Sequence, residues 1–262
     1  MSTHGQELAG KTCVVTGAAR SIGLAIAEAF RAAGARVAMI DVNPEVVPQA
    51  ERLAAGGAEV KGWIVDITDQ RAVHACFAEI AAALGDPYAL VNNAGIVDQR
   101  PVEEVTPEQL DRMFRVNVHG ALYCIQAVLP GMRRMRDGKI VNFSSKSGKT
   151  GSALMVPYSA AKGAVIALTQ ALAFEVAADN IKVNALCPGI TDATGVWSSV
   201  SRGYTENLKL PREEVVKRFT AKIPLGRLTE IRDVVDFVMF LTTGAEYCTG
   251  QAFNITGGRE MH

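Results

Sequence analysis

The stretch TCVVTGAARSIG, residues Thr12 to Gly23, runs from an apolar pentapeptide through a glycine-bearing turn into a helical pattern. A buried strand that ends in such a turn lets the backbone approach a pyrophosphate at the N-terminus of the following helix. Outward from it, short apolar runs alternate with helical periodicity: Ile22–Ala33, Arg36–Asp41, Glu45–Ala55 and Val60–Val65 complete a βαβαβ unit. Further runs at Leu90–Asn92, Lys139–Phe143, Lys182–Leu186 and Ala252–Ile255 bring the count to about seven strands. Long helices are expected over Pro107–Met135 and Tyr158–Ala178. This alternation predicts an α/β fold, a doubly wound parallel sheet with helices on both faces. Neither repeat nor linker divides residues 1–262, so a single domain is expected. Gly189–Leu210 breaks the rhythm and predicts a substrate lid reaching to about residue 225.

Composition narrows the function. The 27 basic and 27 acidic residues cancel, which gives no field to attract nucleic acid or an anionic membrane and leaves small molecules as partners. Five scattered cysteines without CxxC spacing read as reduced core thiols. No signal-like segment and no apolar run of about 18 residues is evident, so a cytoplasmic protein is expected. His4, His74, His119 and His262 lack ligand spacing, and no metal site is assigned. Met132-Arg133-Arg134-Met135-Arg136 reads as a basic helix end.

Tyr158 and Lys162 stand one helical turn apart, so an ammonium can sit beside a phenol and favour its ionised form. Bringing a phenol from about pH 10 to about 7 takes roughly 4 kcal/mol, more than one exposed ion pair provides, so further positive charge is required nearby.

The loop Thr16–Gly23 resembles the TGxxxGxG turn of the short-chain dehydrogenase/reductase family, with Ser21 in place of the middle glycine. Asn92-Asn93-Ala94-Gly95, Asn117 in Asn117-Val118-His119-Gly120, Ser144-Ser145, Tyr158 with Lys162, and Pro188-Gly189 resemble the rest of that signature along nearly the whole chain. The resemblance implies a nicotinamide-dependent oxidoreductase with a Rossmann-like domain, a homotetramer, and catalytic roles for Asn117, Ser145, Tyr158 and Lys162. Tyr158 would remove the carbinol proton, Ser145 would hydrogen-bond the same oxygen, and Asn117 would hold a relaying water.

The same resemblance places Gly17, Arg20, Ser21, Ile22 and Gly23 at the pyrophosphate, and Asp66 and Ile67 at the adenine. Asp66 has helix capping as its alternative reading. Asn93, Ala94 and Gly95 would line the crevice with Tyr158 and Lys162, while Pro188, Gly189, Ile190 and Thr191 would meet the nicotinamide carboxamide. There the match loosens, with Ala193 where a threonine is usual and Thr191 or Thr194 as substitutes. Asp41 can accept both adenine-ribose hydroxyls and repel a 2′-phosphate, favouring NAD, whereas Arg20 could pair with that phosphate.

Ser145-Lys146-Ser147-Gly148-Lys149 and Tyr247-Cys248-Thr249-Gly250-Gln251 resemble the sorbitol-6-phosphate and other polyol dehydrogenases of that family. A polyol or sugar, free or with a phosphate held by Lys146 or Lys149, is therefore the expected substrate. Ser152, Met155 and Val156, with lid residues Trp197, Ser198, Ser201 and Tyr204, would line its pocket. The alternatives are an NADPH-dependent 3-oxoacyl or steroid-type reductase and a non-catalytic dinucleotide-sensing protein.

Overall fold

The computed structural model describes residues 6–191, 205, 209 and 211–262. Seven strands, β1 Thr12–Thr16, β2 Arg36–Asp41, β3 Val60–Ile64, β4 Pro87–Asn92, β5 Gly138–Phe143, β6 Ile181–Pro188 and β7 Ala252–Ile255, form one parallel sheet in the order β3-β2-β1-β4-β5-β6-β7. Central strands are buried on both faces, which is why β1 reads as a continuous apolar run. Successive residues still point to opposite sides. Val15 packs into a layer with Phe30 of α1 (Ser21–Ala32), Val46 of α2 (Val46–Ala54) and Val238. Val14 packs into the opposite layer with Ile80 of α3 (Gln70–Leu84) and with Cys124 and Val176.

Several boundaries differ from the sequence reading. Pro107–Met135 is not one helix: α4 (Pro107–Phe114) passes through a π-helical turn, Arg115–His119, into α5 (Gly120–Met135). The amide of Asn117 explains the wide turn, since its Nδ2 donates to Met113 O and Ile96 O, both at 3.0 Å. Such single π turns concentrate at functional positions. β4 begins at Pro87, β6 continues to Pro188, and α7 starts at Val156, two residues before Tyr158.

The lid expectation falls mostly on residues 192–204, 206–208 and 210, which lie outside the described residues with Thr194, Trp197, Ser198, Ser201 and Tyr204. Its C-terminal part is helical rather than loop, with α8 at Arg212–Thr220, before α9 at Ile231–Thr243. The basic end of α5 is a helix terminus with partners: Arg134 reaches Asp86 at 2.9 Å, and Arg133 reaches Asp179 at 3.1 Å.

Residues Val156–Asp179, containing α7 (Val156–Val176), form a segment long and apolar enough by length and composition to cross a membrane, contrary to the expectation that no run approaches that length. Here the segment lies along the sheet through Val165, Ala173 and Val176, with only a third of its most apolar window buried.

The short helix α6 (Lys146–Thr150) packs directly on the backbone of α7 because Gly148 has no side chain: a Cβ there would stand 2.6 Å from Lys162 C and 2.8 Å from its O. Gly148→Ala should therefore cost about 2–3 kcal/mol in urea denaturation, since backbone on both sides cannot yield without moving a helix. An unchanged midpoint would mean that the two helices separate freely.

Candidate active site

The strand order reverses at β1, and the carboxyl ends of the strands there open onto a crevice of about 1280 Å³. At one end Gly17 adopts φ +67°, and a Cβ on it would lie 2.8 Å from Asn93 Nδ2; on Gly23 a Cβ would lie 2.1 Å from Gly17 O. The turn has room for backbone only. Ser21 takes φ +54°, a left-handed geometry that explains why a glycine is usual there. Helix α1 has no side-chain cap and no acid in its first turn, so its leading N–H groups remain available to an anion, a fit to a dinucleotide pyrophosphate. Arg20, Ser21 and Ile22 line this end, with Arg20 exposed.

Asn93 is spent on holding the loop rather than reaching outward: its Nδ2 donates to Thr16 O at 3.0 Å and Gly17 O at 3.1 Å. Thr16, which the sequence reading did not single out, accepts Ala94 N on Oγ1 at 3.1 Å, and Ala94 and Gly95 continue the wall. Asp41 ends β2, with Oδ2 accepting Ala19 N at 3.0 Å and Oδ1 accepting Asn43 N at 2.9 Å. It is thus both a turn-forming aspartate and a carboxylate fixed on the crevice rim. Asp66 does not cap α3. Asp69 does, accepting Arg71 N and Ala72 N, while Asp66 Oδ1 takes Thr68 N at 2.9 Å and Oγ1 at 2.8 Å. Asp66 and Ile67 line the crevice beside Asp41.

The four residues of the catalytic reading converge in the middle of the crevice. Ser145 ends β5 and caps α6, its Oγ accepting Ser147 N at 3.1 Å. It also stands by the Tyr158 phenol and favours its ionised form. Lys162 is 5% exposed, donates from Nζ to Phe143 O at 2.7 Å, and stands 5.8 Å from the Tyr158 ring centroid. Asn117 Oδ1 accepts Ile96 N at 3.3 Å, and both Oδ1 and Lys162 Nζ abut the position a Gly95 Cβ would take, at 2.6 and 3.3 Å. Ser144, flagged in the sequence only by its place before Ser145, donates from Oγ to Lys162 O at 2.8 Å.

Beyond Tyr158, Pro188, Gly189, Ile190 and Thr191 form the far wall, held as Gly189 N donates to Ile255 O at 2.9 Å and Thr229 N to Ile190 O at 3.0 Å. Ser152 and Met155 line the crevice, whereas Val156 turns outward and is 52% exposed, against its expected place in the pocket. Lys149, expected there too, does not line the crevice: its Nζ donates to Ala252 O at 2.6 Å at the start of β7. Among the described residues no group of three metal-ligating side chains gathers.

Electrostatics correct one expectation. Burial raises the Tyr158 phenol above its ordinary value, a hydrogen bond from Ser145 works against that rise, and Cys187 adds to it. Burial also pushes the Lys162 ammonium down to about 8, opposed by Cys187. The lysine alone does not supply the extra positive charge that the sequence reading required.

Comparison with known proteins agrees with this geometry. Residues 11–205 match the family described as short chain dehydrogenase. The chain is 40% identical over 258 residues to a sorbitol dehydrogenase of Cereibacter sphaeroides, covering 97% of this chain and 99% of that one. A sorbitol-6-phosphate 2-dehydrogenase from Erwinia amylovora superposes with a TM-score of 0.90 at 32% identity, over 95% of this chain and all of that one. An NAD+-bound xylitol dehydrogenase superposes at 0.88 with 30% identity, over 96% and 99%.

The buried ammonium leaves a pH signature. Below about 8 both folded and unfolded chains hold the Lys162 proton, and the fold bears the cost of burying it. Between about 8 and the ordinary 10.5 only the unfolded chain keeps it, so stability rises with pH. Wild type should gain about 1 kcal/mol over Lys162→Met between pH 8 and 9 in urea titrations; a constant difference would mean a solvated ammonium.

Proposed function

The chain belongs to the short-chain dehydrogenase family, and on that footing we propose that it oxidises a polyol at a secondary carbinol, and reduces the matching ketone, with NAD. One observation carries the reading: a phenol beside Ser145 and flanked by Lys162 sits at the carboxyl edge of the sheet, in the same crevice as the glycine turn. Sorbitol and xylitol dehydrogenases among the similar proteins support a polyol substrate.

When bound, the oxidised dinucleotide supplies a hydride acceptor and a positively charged ring. Tyr158 accepts the carbinol proton, and Ser145 donates a hydrogen bond to the oxygen on which negative charge develops. Lys162 holds positive charge beneath the phenol. Asn117 Oδ1 and Lys162 Nζ, both against Gly95, suit a water that passes the proton outward. At the adenine-ribose end, Asp41 is pinned by two backbone N–H groups and cannot swing away from a 2′-phosphate, which supports NAD over NADP. Arg20, exposed beside the turn, is the one feature that favours NADP.

A homotetramer is part of the proposal. Phe174 is 89% exposed and Leu122 37% exposed on the outer faces of α7 and α5, and Ala160, Ala167 and Ala171 are exposed small residues that allow close helix approach. Five unpaired cysteines, four of them buried, support a cytoplasmic setting.

Tyr158→Phe should lower kcat by about 10³-fold or more while NAD binding by calorimetry changes less than about threefold; retained turnover would remove Tyr158 as the base. Asp41→Ala should shift the NAD/NADP ratio of kcat/KM by about 30-fold toward NADP, because a fixed carboxylate facing a phosphate costs about 2 kcal/mol at this partly exposed rim. An unmoved ratio would place discrimination elsewhere.

A further inference from the structure

The substrate end of the crevice carries more positive charge than hydride transfer uses. Lys146, Lys222 and Arg259 line its wall from three separate places: the start of α6, the turn after α8, and the segment after β7. Nearby cations are engaged elsewhere, Arg218 with Glu214 at 3.2 Å and Lys149 with Ala252 O. The ammonium groups of Lys146 and Lys222 have no hydrogen-bond or ion-pair partner among the described residues. Arg259 lies 5.4 Å from the Phe219 ring centroid and pairs with Glu260, Nε to Oε1 at 3.4 Å. Glu260 is the negative charge acting on Lys146, against Arg259 and Lys222, and burial with those two cations draws the Lys146 ammonium below its ordinary value. Three positive charges against one carboxylate leave an excess of two, while the whole chain is neutral. Like charges crowded in a crevice oppose folding and are relieved by an anion between them.

We propose that Lys146, Lys222 and Arg259 form an oxyanion subsite for the far end of the substrate, so that the enzyme acts on a polyol bearing a terminal phosphate or carboxylate. The proposal rests on the polyol reading above. Lys146 directly follows Ser145, and both line the same crevice as Lys222 and Arg259. A phosphate monoester, with a charge of about −1.5 to −2 at neutral pH, matches the excess better than a carboxylate. Arg259, within cation–π reach of Phe219, presents a planar fork suited to two phosphate oxygens.

The test compares kcat/KM for glucitol, glucitol 6-phosphate and a hexonate in wild type and in a Lys222→Ala/Arg259→Gln double variant, with calorimetric titration of inorganic phosphate into both proteins. The expected result is a preference for the phosphorylated or carboxylated compound over glucitol of at least about tenfold, falling about 30-fold in the variant, as expected for charge-assisted hydrogen bonds. The two anionic compounds decide which group is bound. Inorganic phosphate should bind wild type at least about tenfold more tightly than the variant. Glucitol turned over as well as its anionic relatives, with phosphate bound equally by both proteins, would overturn the subsite and leave the polyol reading standing. If no compound is turned over but phosphate binding still collapses in the variant, the polyol reading fails and the subsite holds.

Discussion

Lys162 Nζ exchanges water for the carbonyl of Phe143 at 2.7 Å, and the elements around it are arranged to keep that exchange in place. A buried ammonium with one neutral partner is costly, which is why its affinity for a proton drops. The cost is met by packing. Gly148 lets α6 rest on the α7 backbone at Lys162, and Ser144 ties the Lys162 carbonyl from the end of β5. Ser145 caps α6, so its hydroxyl is fixed by the same helix that rests on the lysine's backbone. Base, hydrogen-bond donor and cation are thus three outputs of one junction between β5, α6 and α7.

The opposite end of the crevice is built by a different device, backbone held by side-chain amides and carboxylates. Asn93 clamps the carbonyls of Thr16 and Gly17, Thr16 receives Ala94, and Asp41 receives Ala19. With the turn latched to β4 and β2, glycine is needed at 17 and 23 for clearance, while Ser21 tolerates a left-handed φ. The leading N–H groups of α1 are then positioned by the sheet rather than by a local cap.

Charge is divided along the crevice although the chain is neutral overall. Asp41 and Asp66 line it toward the glycine turn, where Arg20 is the exposed cation, and Lys146, Lys222 and Arg259 gather elsewhere on its wall. The neutral Tyr158 lies between, with its phenol and the Lys162 ammonium both held toward their uncharged forms by burial in the free protein. A phenol and an ammonium both held toward neutrality in this way are sensitive to any charge brought in beside them.

Local periodicity and turn chemistry alone determined the parallel sheet, its seven strands, the glycine turn and the i, i+4 pair of Tyr158 and Lys162, because each depends on neighbours within a few positions. The family's motif then marked Asn117 and Ser145. The π turn at Asn117, the diversion of Lys149 to Ala252, the outward turn of Val156 and the capping of α3 by Asp69 rather than Asp66 were decided by how the helices and sheet pack. So were the direction of the Tyr158 shift and the meeting of Lys146, Lys222 and Arg259. The reason is range: periodicity reports which face of an element is buried, whereas a hydrogen bond or charge contact between residues dozens of positions apart exists only once the sheet has brought their elements together.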